Sequence, residues 1–188
     1  MKKLFIFTFL FISICSQSQT YIKGNAITAL ALIPNIGIET SIGKKSTFQF
    51  DVLASFWSSI DRKPYEFYVF TSEYRYHFKE KFNGFYVGAN AGFDTYNITK
   101  WNYIVKGALG ARQTGVGYTL GATIGYEKKL NDRFMLDFFL GGGTHQGFYH
   151  SYSIATGEKV EFDTAVGRNK SGEWLPYRGG IMISYRLN

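Results

Sequence analysis

The stretch GVGYTLGATIGYEKKLNDRFMLDFFLGGG, residues 115–143, opens by alternating bulky apolar side chains with glycine and threonine. A period of two is typical of a β-strand, in which successive side chains point to opposite faces of the sheet. A sheet that faces water on one side carries polar side chains on that face. Here one face is apolar and aromatic, and the other is small. The pattern therefore predicts a sheet whose bulky face contacts an apolar medium and whose small face lines a narrow interior.

Composition limits the class of protein. The 188 residues fit a single domain, and 21 glycines, 3 prolines and 19% aromatic residues favour a β protein. After the N-terminal segment no run of about 18 apolar residues occurs, so no transmembrane helix is predicted. The formal net charge of +7 is typical of chains that meet nucleic acid or an anionic membrane surface. For a secreted chain the membrane is the expected partner, and we predict no nucleic-acid binding.

The N-terminal segment MKKLFIFTFLFISICSQSQT has two lysines, an apolar run and then small polar residues. This order predicts a signal peptide, residues 1–18, that is cleaved after Ser18 and leaves a domain of residues 19–188. The alternative is a lipoprotein anchored at Cys15, but lipoprotein processing needs a small residue where Ile14 stands. The mature chain then has no cysteine, which excludes disulfides and cysteine-bound metals.

Alternation continues along the chain and predicts eight strands, the first over residues 21–33. The even-numbered connections are short and basic, whereas three of the four odd-numbered ones are long, over residues 58–64, 97–114 and 151–174. Short turns at one end and long loops at the other are typical of outer-membrane barrels. The predicted fold class is therefore all-β: an eight-stranded antiparallel up-and-down transmembrane β-barrel, in the outer membrane of a Gram-negative cell.

Charged residues also fall on the predicted inner face. By alternation five acids and five bases point inward, and equal numbers favour a charge-paired polar plug over an open ion path, since an eight-stranded barrel is filled by side chains. The predicted lumen charge network consists of Lys23, Glu39, Asp51, Glu73, Arg75, Asp94, Arg133, Asp137, Arg178 and Arg186.

No motif predicts catalysis, a cofactor or a metal. The glycine-rich runs lack the spacing of phosphate-binding loops. His77, His145 and His150 show no metal-ligand spacing. Lipid A deacylases carry a His-x-Ser element, but the residues two positions after His145 and His150 are Gly147 and Tyr152. We therefore predict that the protein is not an enzyme.

Several segments resemble a small outer-membrane barrel family catalogued only as a domain of unknown function, number 3575. They are KGNAITALALIPNIGIETSIGKKSTFQ, SEYRYHF, GFYVGANAG, the opening stretch and LPYRGGIMISYRLN. Their glycine-alternating strands are also similar to the OmpA-like and OmpW-like barrels. The resemblance implies contact with outer-membrane lipid and with the barrel assembly machinery, and it implies no activity. Leu187 stands where the assembly signal usually has a terminal aromatic residue.

These observations predict a structural or interaction barrel whose extracellular loops contact an unidentified protein or surface ligand. Exposed loop aromatics are common contact anchors, and the candidates are Trp101, Tyr103 and Phe162. One alternative is a barrel enzyme that acts on outer-membrane lipid. Another is a soluble lipocalin-like periplasmic carrier, which the face chemistry disfavours because a lipocalin has its apolar residues inside.

Overall fold

The protein is almost entirely antiparallel strand. Its structure, a computed structural model, describes residues 18–60, 63–99, 104–105, 108–109, 111–161 and 169–188. The elements are β1 (Thr20–Asn25), α1 (Ala26–Leu30), β2 (Asn35–Ser41), β3 (Ser46–Ile60), β4 (Lys63–His77), β5 (Gly84–Thr99), β6 (Ile104–Val105), β7 (Ala108–Leu109), β8 (Ala111–Lys129), β9 (Phe134–Ser153), β10 (Lys159–Val160) and β11 (Asn169–Arg186).

Eight of the strands close into a ring. The hydrogen-bonded order is β1-β2-β3-β4-β5-β8-β9-β11, and β11 pairs back onto β1, so the predicted eight-stranded antiparallel fold is confirmed. Lys23 of β1 pairs directly with Ser184 of β11. When the pairing is followed from Lys23 in the other direction, strand by strand around the ring, it reaches β11 at Glu173. This large offset along β11 means that the strands are staggered and tilted, as closure of a ring requires.

The two ends of the ring differ. At the short-turn end the strands are joined by residues 42–45, 78–83 and 130–133. At the opposite, long-loop end the strands run further than the sequence predicts. Much of the expected loop over residues 151–174 is strand, because β9 continues to Ser153 and β11 begins at Asn169. The prediction was wrong here because polar and aromatic residues on both faces hide the alternation, while backbone pairing continues.

The first predicted strand, residues 21–33, is also wrong. β1 ends at Asn25, whose side chain accepts a hydrogen bond from the backbone N–H of Ile27 at 3.1 Å and so caps α1. An asparagine at this position satisfies a helix-start N–H that otherwise has no partner. The following alanine- and leucine-rich segment favours a helix. No helix in the described ranges is both long and apolar enough to cross a membrane.

The ring is polar inside and apolar outside. Among the described residues 24 polar or charged side chains are buried, against 9 apolar ones. The large apolar side chains instead point outward on every strand of the ring. We call this set the apolar band: Ile22, Ile36, Ile38, Phe48, Phe50, Phe70, Tyr74, Phe85, Val87, Phe93, Val116, Tyr118, Leu120, Ile124, Tyr126, Phe134, Phe138, Leu140 and Ile183.

The band has a defined height on β8. The outward residues from Val116 to Tyr126 are apolar, with Thr114 and Arg112 beyond one end and Lys128 beyond the other. At about 3.4 Å per residue and a tilt of about 40°, this span rises about 26 Å along the ring axis. An outer-membrane barrel has an apolar band of about 25 Å.

A bulge in β11 changes which residues face inward. The pairing with β9 shifts between Leu175 and Arg178, so two residues of β11 oppose one residue of β9. Pro176 lies in the bulge and has no N–H to donate to the ladder. Strict alternation with the inward Arg178 would place Tyr177 on the outer face, but its hydroxyl donates to Asn90 Oδ1 inside the ring at 2.5 Å. The extra residue inverts the alternation, which the sequence reading did not allow for.

Glycines on the inner face make room for large side chains from other strands. A Cβ atom at Gly88 would lie 2.9 Å from the Glu73 carboxylate, and one at Gly141 would lie 2.8 Å from the Arg178 side chain. A Cβ at Gly125 would overlap the Tyr86 ring. The small face of the opening stretch is therefore the space into which long polar side chains extend.

Candidate functional site

The lumen near the short-turn end is filled by a buried ion network, which begins with Lys23 on β1. Its Nζ donates to Glu39 Oε2 at 2.5 Å, to Asp137 Oδ2 at 2.6 Å and to Glu127 Oε1 at 3.2 Å. All four side chains are fully buried. Three strands besides β1 therefore supply carboxylates to one ammonium group, which compensates much of the cost of its burial.

Arg75 on β4 joins the same carboxylates. Its Nε donates to Glu73 Oε1 at 2.6 Å, and its Nη1 lies 2.8 Å from Asp137 Oδ2 and 3.1 Å from Glu39 Oε2. A third Nη1 contact, to Glu127 Oε1, measures 3.3 Å. The guanidinium also lies over the Tyr86 ring, 4.5 Å from its centroid. Two cations thus share three carboxylates, and neither pairs with one partner alone.

A second layer lies toward the long-loop end. Arg178 Nη2 donates to Asp51 Oδ2 at 3.0 Å, and Arg178 Nη1 lies 3.0 Å from Glu73 Oε2. Asp51 also accepts a hydrogen bond from the Asn35 amide at 3.1 Å. Arg178 therefore links this layer to the carboxylate of Glu73, which Arg75 binds from the other side.

We call these eight charged residues the plug: Lys23, Glu39, Asp51, Glu73, Arg75, Glu127, Asp137 and Arg178. The short-turn end beneath it is closed by Phe82, which is fully buried and packs on Tyr21 with ring centroids 4.8 Å apart. Phe82 lies in the turn after β4 with a φ of 59°. This uncommon conformation turns the chain back beneath the ring.

The structure places the ten predicted lumen charges in different environments. Seven of them belong to the plug. Asp94 is buried nearer the long-loop end of the lumen, where its Oδ1 lies 3.0 Å from His145 Nε2. Arg133 and Arg186 lie outside the network: Arg133 is an exposed turn residue, and Arg186 is exposed at the end of β11. Each stands where its strand leaves the ring, so alternation no longer defines an inward direction.

Sequence reasoning missed two residues at the short-turn end of the lumen. Glu127 continues the inward series of the opening stretch, but the predicted charge network left it out. His77 lies on the inward face of β4 and was assessed only by its spacing from other histidines. His77 Nε2 lies 3.5 Å from Glu127 Oε2 and 4.0 Å from Glu39 Oε1. Thr47 donates to that same Glu39 oxygen at 2.5 Å.

A cavity of about 260 Å³ lies in the lumen on the long-loop side of the plug, and we call it the cup. Its wall is mostly apolar and aromatic, and it also contains two carboxylates and an imidazole, those of Asp94, Glu173 and His145. The lining residues are Tyr65, Phe67, Val69, Asp94, Tyr96, Ile98, Gln113, Thr119, His145, Ser171, Glu173, Leu175 and Tyr177.

The predicted loop contacts Trp101, Tyr103 and Phe162 lie outside the described residues. At the described end of the long connection between β9 and β11, β10 pairs with β9 through Lys159↔Tyr152 and Val160↔Ser151. A hairpin therefore extends the sheet at the long-loop end, on the same side as the cup.

The closed ring, the buried charges and the exposed apolar band together define an all-β protein with a charged interior and an apolar outer surface. Residues 3–187 match the family model described as Protein of unknown function (DUF3575), so the chain belongs to this family, which its motifs resemble. No curated protein and no solved structure matches the chain. The family description assigns no activity.

Proposed function

We propose that the protein is an integral outer-membrane β-barrel that does not conduct ions and binds a small ligand in the cup. The observation that carries the proposal is the apolar band around a charged interior. Leu120, Ile124 and Phe85 are 52%, 63% and 68% exposed. A contiguous exposed apolar surface of this extent marks contact with lipid or with another protein. Lipid fits best, because the band encircles the ring at about the height of a bilayer core.

The route to that membrane forms part of the proposal. Residues 1–18 act as a cleaved signal peptide, and the barrel assembly machinery inserts residues 19–188. Closure of the ring supports insertion, because a closed sheet has no edge strand whose backbone N–H and C=O groups would lack hydrogen-bond partners in lipid.

The plug supports a non-conducting barrel. Lys23, Arg75 and the carboxylates that they contact are fully buried, so side chains rather than water surround them. Ions would have to break these contacts to pass, and breaking a buried pair costs about 3–5 kcal/mol. The mature protein should therefore produce no steady conductance in a planar bilayer.

The cup supports a binding role at the long-loop end. Its volume of about 260 Å³ is slightly below the roughly 300–1,000 Å³ of pockets for drug-sized ligands. Tyr65, Phe67 and Tyr96 offer aromatic faces, and Asp94 adds a carboxylate to the wall. The ligand class that fits is a small aromatic or aliphatic molecule carrying one cationic group, which aromatic faces and carboxylates both attract.

The binding proposal is tested with three naphthalene derivatives of similar size: a methylammonium, a methanol and a carboxylate. We expect the ammonium compound to bind most tightly in protein-containing nanodiscs by equilibrium dialysis. Tyr96→Ala should weaken its binding, whereas Tyr118→Ala on the outer face is the matched control and should not. Equal binding of all three compounds, or equal loss in both variants, would contradict a site in the cup.

The two alternative functions have less support. A soluble lipocalin-like carrier is polar outside, whereas here the apolar band covers the outside and the plug inside is charged. A lipid hydrolase needs a nucleophile beside a base. In the described part of the chain His145 has Asp94 as its hydrogen-bond partner, and no serine hydroxyl is bonded to it.

A further inference from the structure

Three side chains converge at the short-turn end of the plug. Glu39 on β2, His77 on β4 and Glu127 on β8 each offer one ligand atom, and these atoms all lie within 4.8 Å of one another. All three residues are buried. They are far apart in sequence and form no local motif. Closure of the ring brings them together.

The carboxylates divide their oxygens between two tasks. Lys23 and Arg75 bind Oε2 of Glu39 and Oε1 of Glu127. The remaining oxygens, Glu39 Oε1 and Glu127 Oε2, point toward His77 Nε2. Within the described chain Glu127 Oε2 is buried without a hydrogen-bond partner. A fully buried carboxylate oxygen is therefore aimed, unsatisfied, at an imidazole nitrogen.

The plug contains more carboxylates than cationic side chains, and a bound cation would reduce this negative excess. Lys23, Arg75 and Arg178 carry three positive charges, whereas the plug contains five carboxylates when all are ionised. The carboxylates are Glu39, Asp51, Glu73, Glu127 and Asp137. With all five ionised, the plug has two excess negative charges, and uncompensated buried charge is costly.

We propose that Glu39, His77 and Glu127 bind one divalent transition-metal cation, with Zn²⁺ as the best fit. One imidazole nitrogen and two carboxylate oxygens are ligands that Zn²⁺ accepts. Ligand atoms about 2.0–2.2 Å from tetrahedral Zn²⁺ lie about 3.3–3.6 Å from each other. His77 Nε2 and Glu127 Oε2 are already 3.5 Å apart, and Glu39 Oε1 is 4.0 Å from the same nitrogen.

The surroundings favour a structural rather than a catalytic ion. Thr47 donates to Glu39 Oε1, and Lys23 holds the other oxygen of that carboxylate, so its direction is fixed from two sides. Such outer partners orient metal ligands. The site lies directly above the Phe82 closure, away from the cup. The ion would tie β2, β4 and β8 together across the lumen.

The test supplies Zn²⁺ during folding, because the site is buried. The full chain is refolded from urea into detergent micelles with Zn²⁺ or with EDTA and then desalted, and bound zinc is measured by mass spectrometry. We expect one Zn²⁺ per wild-type chain and a higher temperature for the loss of folded gel mobility than in EDTA. His77→Gln should weaken binding by more than about 100-fold, whereas His145→Gln, which alters a lumen histidine in the cup, should retain it.

Glu127→Gln distinguishes this proposal from a general folding effect. In EDTA it should unfold at a higher temperature than wild type, because it removes one excess negative charge, and Zn²⁺ should not stabilise it further. Should His77→Gln fail to fold, Glu127→Gln carries the same test. Wild type without bound zinc, equal loss in His77→Gln and His145→Gln, or an EDTA-treated Glu127→Gln less stable than EDTA-treated wild type would each overturn the proposal.

Discussion

Replacing Arg75 with methionine tests whether the plug holds the ring together. The substitution keeps most of the side-chain volume but removes the guanidinium, which contacts Glu73, Asp137, Glu39 and Glu127 over 2.6–3.3 Å. Lys23 would then be the cation left beside three of these carboxylates.

The expected cost follows from burial. Removing one partner of a buried ion pair leaves the other charge uncompensated and costs about 3–5 kcal/mol. Glu73 keeps its contact with Arg178, so the uncompensated charge falls mainly on Asp137, Glu39 and Glu127. A second substitution, Asp137→Asn, should recover part of the loss, because residues in one network are coupled by about 0.5–3 kcal/mol.

The assay is urea-dependent unfolding in lipid vesicles with EDTA present, followed by the gel mobility of the folded band. The matched control is Arg112→Met. Arg112 is exposed on the outer face of β8, 5.5 Å from the Tyr152 ring, so its loss should change stability by less than about 0.5 kcal/mol. If Arg75→Met costs no more than Arg112→Met, the buried network does not stabilise the ring.

Three further predictions concern the lumen and the band. Gly125→Ala should lower the free energy of unfolding by about 1–3 kcal/mol, because its Cβ would overlap a tyrosine ring. Gly24→Ala has open space and should cost less; equal costs would refute the space-filling account. Planar-bilayer recordings should show no steady pore, and a stable ion-selective conductance would contradict the plug. Leu120→Arg near the band centre should lower the free energy of unfolding by about 2–4 kcal/mol, and Thr114→Arg at its edge by about 0–1 kcal/mol, measured by urea unfolding in vesicles. The reverse order would show that the membrane does not centre on Leu120.

Much of the fold is predictable because two faces of each strand have different chemistry. The glycine and threonine of the opening stretch do point inward, and Leu120 and Ile124 point outward. The prediction fails where a local event interrupts alternation. The bulge at Pro176 turns Tyr177 inward, and the Asn25 cap replaces the end of a strand with a helix. Neither event changes the period of the neighbouring residues.

The lumen was less predictable than the fold. Alternation indicates which charges point inward, but the partners of Lys23 come from strands that only ring closure brings together. Glu127 ends the inward series of the opening stretch, and the predicted network left it out. His77 has no informative neighbour in sequence, since its contacts with Glu39 and Glu127 cross the lumen. Distances across a closed interior are set by stagger and tilt, which no single strand encodes.

The proposed function requires that the apolar band lies in lipid. The sequence has a single cysteine, Cys15, within the predicted signal peptide, so a new cysteine in the mature chain can be labelled alone. Spin labels at Leu120→Cys and Thr114→Cys would be compared in nanodiscs by power saturation with oxygen and a water-soluble nickel chelate. We expect high accessibility to oxygen and low accessibility to the nickel chelate at position 120. At position 114 we expect low accessibility to oxygen and high accessibility to the nickel chelate. Nickel accessibility at position 120 equal to or above that at position 114 would contradict a membrane-spanning barrel.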